Sequence, residues 1–266
     1  MVAIAQTFAD RVDGVIAATG SLLCLGLDPD GAGDAADAER RCISLLDATL
    51  EYVCAVKPNL AFFEQHGSAG YAILERLRAR VPTDRLLILD AKRGDIGNTA
   101  SAYARALFDV LGADAVTVNP LLGRDSVTPF LDRPGRGIFV LTRTSNPGAA
   151  DFLDRSAAAG GTLLYQRIVD EAQLWDPLGG TIGFVVGATA PEAVAEVRRR
   201  APHAALLLPG VGAQRGDLEA AVAAGLDDHG GRALIPVSRR LSSAPEGPAT
   251  AARAFRDRIA AVRSAA

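Results

Sequence analysis

The sequence predicts a single α/β domain that spans residues 1–266 and folds as a closed (β/α)8 TIM barrel. Short apolar segments alternate with segments of helical periodicity, which is the order of elements that builds a parallel sheet. There are eight such apolar segments, the number that a closed barrel of this kind needs. The length of 266 residues suits one barrel, and no linker-like stretch divides the chain. An open doubly wound sheet is the alternative, but no GxGxxG turn follows the first apolar segment.

Each of the eight predicted strands is nearly continuous in apolar residues, which is typical of strands buried on both faces. They cover residues 21–27, 52–57, 86–91, 114–118, 137–142, 182–187, 204–208 and 233–237. Helical periodicity indicates an amphipathic N-terminal helix and further helices near residues 62–80, 98–111, 157–173, 190–200, 215–225 and 248–263. The longer connections at residues 143–156 and 174–181 are predicted to form a mobile cover over a site.

The composition excludes several classes of function. With a net charge of −3 and a pI of about 5.7, the chain has no basic surface for a nucleic acid. No apolar stretch reaches the roughly 18 residues needed to cross a bilayer, so no membrane association is expected. The three cysteines, Cys24, Cys42 and Cys54, have no CxxC spacing and are interpreted as buried, reduced thiols. We therefore expect a cytoplasmic protein.

Lysine is nearly absent from this chain, since Lys57 and Lys92 stand against 26 arginines. Arginine stays protonated in proteins, whereas an ammonium group can hand over a proton. Where arginine has taken almost every other basic position, a remaining lysine is predicted to do what arginine cannot. Both lysines lie in apolar, strand-like segments beside carboxylates. The alternative is that codon bias happened to spare two structural lysines.

The C-terminal ends of the predicted strands carry a line of charged residues: Asp28, Lys57, Asp90, Lys92 and Asp95. The active site of a TIM barrel is built from these strand ends. Because side chains alternate between the two faces of a strand, Asp90 and Lys92 are expected to point the same way, with Lys57 beside them. Opposite charges at low dielectric hold one another in the ionised form. The alternative is an ion-pair network that only ties strands together, although buried ion pairs are weak stabilisers.

A phosphate site is predicted where the seventh and eighth strands end. The sequence PGVGAQ at residues 209–214 follows the seventh strand, and Arg239 follows the eighth. Barrels often bind phosphate with these two loops, because glycines let backbone N–H groups approach an anion and arginine can bind it through two hydrogen bonds. Gln214 and Arg239 are the predicted side-chain ligands. The substrate is therefore expected to carry a monophosphate at one end.

The three histidines are predicted to have no part in the chemistry. None of His66, His203 and His229 falls at the C-terminal end of a predicted strand. They are interpreted as surface or packing residues, which argues against histidine-based acid–base or metal chemistry. No metal site is predicted.

The charged strand ends resemble a known family. The segment DAKRGDIGNTA at residues 90–100 is similar to the Asp-x-Lys-x-x-Asp signature of the orotidine 5′-phosphate decarboxylases, which form UMP in pyrimidine biosynthesis. Other segments agree in order along the chain: CLGLDPD at 24–30, VKPNLAFFEQHG at 56–67, LTRTSNPGA at 141–149, PGVGAQ at 209–214 and PVSR at 236–239. The resemblance covers essentially the whole chain and is greatest to the longer bacterial branch of the family.

The resemblance implies which residues act on the pyrimidine ring and the ribose. It implies that Lys92 donates a proton to C6 of the ring and that Asp90 lies near the substrate carboxylate. It implies that Lys57 and Asp28 hold the ribose hydroxyls and continue the line of charge. It implies that Ser145 contacts the edge of the pyrimidine. It implies no cofactor, so the protein itself must stabilise the carbanion left at C6.

The resemblance also implies a phosphate site and a homodimer. Gln214 and Arg239 would bind the 5′-phosphate, in agreement with the prediction from the loops. Asp95 and Thr99 would reach across a dimer interface into the partner's site. Ser238 stands where many members of the family have glycine before the arginine, and its backbone N–H can still serve the phosphate.

Two other functions remain open from the sequence. A magnesium-dependent sugar-phosphate decarboxylase or aldolase uses a similar line of charges but needs further carboxylates for the metal, and Glu64 is the only obvious spare one near the second strand. A nucleotide-binding protein without catalytic activity is the other alternative. The presence of all three signature residues, Asp90, Lys92 and Asp95, argues against it.

Overall fold

The structure, a computed structural model, describes residues 6–176, 179–211 and 216–265. The strands are β1 Leu23–Leu27, β2 Ala55–Pro58, β3 Leu86–Arg93, β4 Ala115–Val118, β5 Gly137–Arg143, β6 Ile182–Val186, β7 Leu206–Leu207 and β8 Ala233–Val237. The α-helices are α1 Phe8–Thr19, α2 Ala35–Thr49, α3 Ala61–Glu64, α4 Ser68–Arg80, α5 Gly97–Ala104, α6 Arg124–Val127, α7 Ala149–Phe152, α8 Leu164–Trp175, α9 Pro191–Arg200, α10 Leu218–Gly225, α11 Arg239–Ser242 and α12 Pro248–Ala265.

The eight strands close into one barrel, which confirms the predicted fold class. Each strand pairs in parallel with the next in sequence, and β8 pairs with β1 to complete the circle. The strand residues are almost all buried, because side chains fill the barrel on one face and helices cover the other. All eight strands therefore end on one face of the barrel, where the charged residues of the sequence come together.

The opposite, N-terminal end of the barrel is covered by the first helix. Thr7 and Asp10 form a capping box that starts α1. The ring of Phe8 then packs against Gly137 at the start of β5 and lies edge-on to Phe139, with ring centroids 5.8 Å apart. The ring of Phe8 thus covers the start of β5 at the end of the barrel away from the predicted site.

Three predicted helices have different bounds in the structure. The continuous helix expected at 62–80 is divided into α3 and α4, because Gly67 adopts a φ of 60° that glycine tolerates and other residues resist. The helix expected at 98–111 changes after α5 into a π-helical segment, Arg105–Val110. The helix expected at 157–173 begins only at Leu164.

The two predicted cover segments differ in how much of them the structure describes. Residues 143–156 contain α7 and are closed on themselves by an ion pair of 2.8 Å between Arg143 and Asp154. Residues 174–181 begin at the end of α8, and two of them, 177 and 178, lie outside the described residues. In the described parts of the chain, no helix has the length and apolar character required to span a bilayer.

Candidate active site

Lys57 and Asp90 form the buried centre of the charged cluster. Lys57 lies in β2 and Asp90 in the adjacent β3, at the end of the barrel where the strands finish. The Lys57 Nζ donates a hydrogen bond of 2.8 Å to Asp90 Oδ2, and both side chains are largely buried. The sequence prediction that neighbouring strands bring these two charges together is confirmed.

Lys92 completes the line from the solvent side. Its Nζ lies 2.5 Å from Asp90 Oδ1, so the carboxylate of Asp90 bridges the two ammonium groups. About half of the Lys92 side chain is exposed (48%), in contrast to 7% for Lys57. Lys92 is therefore the more accessible cation of the pair at the barrel mouth.

The backbone at Lys92 is irregular, and this changes the reason for its orientation. Alternation along a regular strand was expected to align Lys92 with Asp90. Instead, the pairing of β3 with β4 shifts register between Leu89 and Arg93, and Lys92 has a φ of 47°. A left-handed conformation costs a non-glycine residue roughly 1–2 kcal/mol, so surrounding contacts must hold it.

The electrostatic balance of the cluster keeps Asp90 and Lys57 charged. Burial disfavours the carboxylate of Asp90, but the charges and hydrogen bonds of Lys57 and Lys92 outweigh burial and lower the pKa of Asp90. Burial also opposes the charge on Lys57, but the carboxylates of Asp90 and Asp28 outweigh it and raise the pKa of Lys57. Both groups are therefore ionised across the neutral pH range.

Thr117 is a member of the cluster that the sequence reasoning missed. Its hydroxyl, buried in β4, donates to Asp90 Oδ1 over 3.1 Å and accepts the backbone N–H of Lys92 over 2.9 Å. Thr117 thus fixes the carboxylate and the main chain of the lysine together. The available signal was a single hydroxyl residue in an otherwise apolar strand, AVTV.

Asp28 lies beside this cluster with an unused acceptor. It directly follows β1, and its negative charge contributes to raising the pKa of Lys57. Its Oδ1 is buried, and among the described residues no group donates a hydrogen bond to it. A buried carboxylate oxygen without a donor is costly, which makes this oxygen a natural acceptor for a ligand hydroxyl.

Ser145 lies just after β5 on the same face of the barrel. Its main chain packs closely on Gly187, which follows β6, and a Cβ at that glycine would come within 2.6 Å of the Ser145 Cα. The Ser145 carbonyl also accepts a hydrogen bond of 3.2 Å from Thr189. These contacts hold the serine at the barrel mouth.

The predicted phosphate ligands are described only in part. Arg239 follows β8 after one residue, Ser238, as the first residue of α11, and its side chain is exposed. Gln214 lies outside the described residues, so its prediction stays untested. A cavity of about 560 Å³ contains Asp28 and Arg239, but it lies beside α2 and α11, and neither Lys57 nor Lys92 lines it. The cavity adjoins the charged cluster and is distinct from it.

Asp95 and Thr99 make no polar contact with the cluster through their side chains in the described structure. Asp95 accepts a hydrogen bond from the N–H of Ile96, and Thr99 is exposed on α5. Neither makes a hydrogen bond or an ion pair with Lys57, Asp90 or Lys92 in the described structure. Asp95 is partly exposed and Thr99 is exposed at the protein surface.

Glu64, the spare carboxylate of the metal-dependent alternative, is already engaged. It forms an ion pair with Arg93 and accepts a hydrogen bond of 3.1 Å from the Tyr71 hydroxyl. Among the residues described by the structure, no group of three or more His, Cys, Asp and Glu side chains has an arrangement that could hold a metal ion.

The fold and the site define a barrel enzyme whose polar centre is an alternating line of lysine and aspartate. A sequence model of the "Orotidine 5'-phosphate decarboxylase / HUMPS family" matches residues 21–255. The chain is 45% identical over 271 residues to the orotidine 5′-phosphate decarboxylase of Thermomicrobium roseum, covering 97% of this chain and 96% of that protein. This chain belongs to the orotidine 5′-phosphate decarboxylase family.

Further relatives agree in sequence and in fold. The orotidine 5′-phosphate decarboxylase of Roseiflexus castenholzii is 46% identical, with 97% of this chain and 100% of that protein covered. The solved structure of the OMP decarboxylase of Leishmania donovani superposes with a TM-score of 0.89 at 42% identity, covering 97% of this chain and 99% of that one. The resemblance to the orotidine 5′-phosphate decarboxylases that the charged motifs indicated is therefore confirmed over nearly the full chain.

Proposed function

We propose that this enzyme decarboxylates orotidine 5′-phosphate to UMP without a cofactor and that Lys92 is the proton donor. The decarboxylase activity is supported by the family membership and by full-length relatives of that name. The observation that carries the role of Lys92 is its position, half exposed at the barrel mouth with its Nζ 2.5 Å from Asp90.

The reaction balances with one proton transfer. The bond between C6 and the carboxylate carbon breaks, CO2 leaves, and the electron pair of that bond stays on C6. An N–H bond of the Lys92 ammonium then breaks, and its proton forms the new C6–H bond. The neutral amine regains a proton from water after the product leaves. Arginine cannot replace lysine in this step, because its guanidinium does not release a proton.

Magnitudes favour stabilisation by Lys92 over repulsion by Asp90. Two unit charges about 4 Å apart at an effective dielectric of about 20 interact by roughly 4 kcal/mol. Repulsion between Asp90 and the substrate carboxylate is limited to this order, and the two neighbouring ammonium groups offset part of it. The attraction between Lys92 and C6 grows as negative charge develops there, and only such growing interactions lower the barrier.

Five residues in and around the cluster bind the rest of the nucleotide in this proposal. Asp28, with its buried acceptor, and Lys57 take the ribose hydroxyls. Ser145 contacts the pyrimidine edge, and Arg239 binds the 5′-phosphate together with Gln214.

Closure of the cover segment is also part of this proposal. Binding energy from the distant phosphate stabilises residues 143–156 in a closed position over the pyrimidine ring, which excludes water from the site.

The enzyme works as a homodimer with shared sites in this proposal. Asp95 and Thr99 are accessible from outside the subunit. Large apolar side chains are exposed beside Asp95 and after β4, the strand that pairs with β3: Ile96, Leu121 and Leu122. An exposed group of apolar residues next to polar ones is typical of a protein interface. Asp95 of each subunit would complete the charged line of its partner.

A cytoplasmic location is proposed from the state of the cysteines. Cys24, Cys42 and Cys54 are all free and buried. Burial raises the pKa of the Cys24 and Cys42 thiols to about 12. Inert thiols without disulfides suit a reducing compartment.

An activity assay tests the proposed reaction. Purified protein mixed with orotidine 5′-phosphate should change the absorbance of the pyrimidine ring as UMP forms. The rate should survive exhaustive chelation, because Glu64 is paired with Arg93 and is not free for a metal. Loss of the rate on chelation and its return with magnesium would favour the metal-dependent alternative.

A mixing experiment tests the shared sites. Lys92→Ala and Asp95→Ala subunits should each be inactive alone. If sites are shared across a two-fold axis, equal mixing gives half heterodimers, each with one intact site, so about a quarter of wild-type activity returns. If the two variants carry different affinity tags, heterodimers can be isolated by purification on both tags. No recovery in these heterodimers would contradict the role of Asp95.

A further inference from the structure

The irregular backbone at Lys92 is held by side chains on both sides of one peptide unit. This unit joins Ala91 to Lys92, within the register shift between β3 and β4. Its carbonyl oxygen, on Ala91, accepts a hydrogen bond of 3.1 Å from Arg93 Nη1. Its N–H, on Lys92, donates to Thr117 Oγ1 over 2.9 Å. The orientation of this peptide unit sets the direction in which the Lys92 side chain leaves the strand.

Arg93 is itself fixed by three groups from other elements. Its guanidinium forms an ion pair with Glu64 at the end of α3, and it lies over the ring of Tyr103 in α5, 5.2 Å from the ring centroid. Tyr71 of α4 holds the same carboxylate of Glu64 through its hydroxyl. The side chain of Arg93 is largely buried, with 20% exposed. A planar guanidinium gripped in this way has little freedom to move.

We propose that Arg93, held by Glu64, is a positioning residue that keeps the backbone of Lys92 in its left-handed conformation and so aims the ammonium group. It acts through Lys92 and does not touch the substrate. This inference rests on the proposed role of Lys92 as proton donor. Small displacements of a reacting group cost large factors in rate, so the effect of losing Arg93 falls on turnover.

The test compares Arg93→Met, Arg93→Lys and Glu64→Gln with a matched control, Arg133→Met. Arg133 is also an ion-paired arginine over an aromatic ring, with Asp109 and Phe108 as partners and 19% of its side chain exposed. Arg133 precedes the start of β5, and Asp109 lies between α5 and the start of β4, so this pair is at the end of the barrel opposite the charged cluster. The control therefore loses the same kinds of contact without disturbing Lys92.

The expected result is a split between kcat and KM. Arg93→Met should lower kcat by about 10- to 100-fold while KM stays within about twofold, because the binding groups are untouched. Arg93→Lys should restore part of the lost kcat, since a single donor can still reach the carbonyl of Ala91. Glu64→Gln should lower kcat less than Arg93→Met, and Arg133→Met should leave kcat unchanged.

Three outcomes would overturn the inference. They are a kcat of Arg93→Met within about twofold of wild type, an equal fall in kcat for the Arg133→Met control, or a change in KM alone. If Arg93→Met fails to fold, an unchanged kcat of Glu64→Gln decides against it. Failure of the proposed role of Lys92 gives a different result, because Lys92→Arg would then retain turnover. An inactive Lys92→Arg together with a normal Arg93→Met would remove only the positioning role of Arg93.

Discussion

The two ends of the barrel each bury one aspartate among cations, but the cations differ. At the mouth, Asp90 lies between Lys57 and Lys92. At the base, Asp114 accepts contacts of 2.7, 3.3 and 2.6 Å from Arg11, Arg78 and Arg136. The Asp114 carboxylate also accepts the backbone N–H of Leu87, at 2.8 Å. These contacts of Asp114 join β3, β4 and α1 at the base of the barrel. None of the three arginines can release a proton there.

The difference shows where this chain has kept lysine and why. Arginine offers five donors in a rigid plane. This geometry suits the base of the barrel, where the arginines donate hydrogen bonds to one carboxylate and to several backbone carbonyls. Arg11, for example, also donates to the carbonyl of Gly135, and Arg136 to that of Ala113. In the proposed mechanism the mouth needs an amine that can lose its proton to carbon, and both cations that pair with Asp90 are lysines. If the proposed mechanism holds, the two lysines of the sequence mark the catalytic end of the barrel.

The largest expected effect comes from making the mouth resemble the base. Lys92→Arg keeps a positive charge beside Asp90 but removes the transferable proton. We expect kcat to fall by at least about a thousandfold, since proton transfer and charge stabilisation at C6 are both lost or displaced. Steady-state turnover of orotidine 5′-phosphate measures the loss, and an unchanged thermal unfolding curve controls for folding. Turnover within tenfold of wild type would remove Lys92 as proton donor.

A smaller effect is expected from neutralising the acid at the mouth. Asp90→Asn leaves the buried ammonium of Lys57 with only Asp28 as a close counter-charge. Breaking a buried pair by removing one partner costs about 3–5 kcal/mol, and the remaining Asp28 favours the lower end. Denaturant unfolding at pH 7 measures this loss. Asp257→Asn, at an exposed pair with Arg256, is the control and should cost less than about 1 kcal/mol.

The pH dependence of the Asp90→Asn effect follows from the lowered pKa of Asp90. In the folded protein this pKa lies below its unfolded value of about 3.9. The charge of Asp90 therefore contributes its full stability above about pH 4 and loses it as the pH falls through the folded pKa. The difference between wild type and variant should be constant from pH 5 to 8 and shrink below about pH 4. A difference that grows on acidification would contradict this assignment.

The sequence predicted most of the fold because the barrel follows from periodicity. Eight apolar segments alternating with helical ones leave few topologies, and all eight strands form near their predicted positions. The division of α3 from α4 was missed because apolar periodicity continues on both sides of Gly67. One glycine in a left-handed conformation ends a helix without altering the pattern around it.

The charged residues of the cluster were predictable from the sequence, but Thr117 and the irregular backbone of Lys92 were not. The sequence predicted that Lys57, Asp90 and Lys92 lie together, because they stand at the ends of adjacent strands. The register shift at Lys92 was not predictable, because it depends on hydrogen bonds to Thr117 and Arg93 that exist only in the folded chain. The partner of Arg93 lies 29 residues earlier in sequence, at Glu64, and no local pattern connects the two.

The smallest expected effect comes from making the base resemble the mouth. Arg78→Lys keeps a positive charge near Asp114, and Arg78 already makes the longest of the three contacts, 3.3 Å. Arg11 and Arg136 continue to satisfy the carboxylate. We therefore expect a loss of less than about 1 kcal/mol in the free energy of unfolding. Turnover should be unchanged, because a lysine at the base has no carbanion to protonate. Denaturant unfolding and steady-state kinetics on the same preparation check both values. A fall in kcat without a fall in stability would mean that the two ends of the barrel are coupled, and that the division between a structural base and a reactive mouth is wrong.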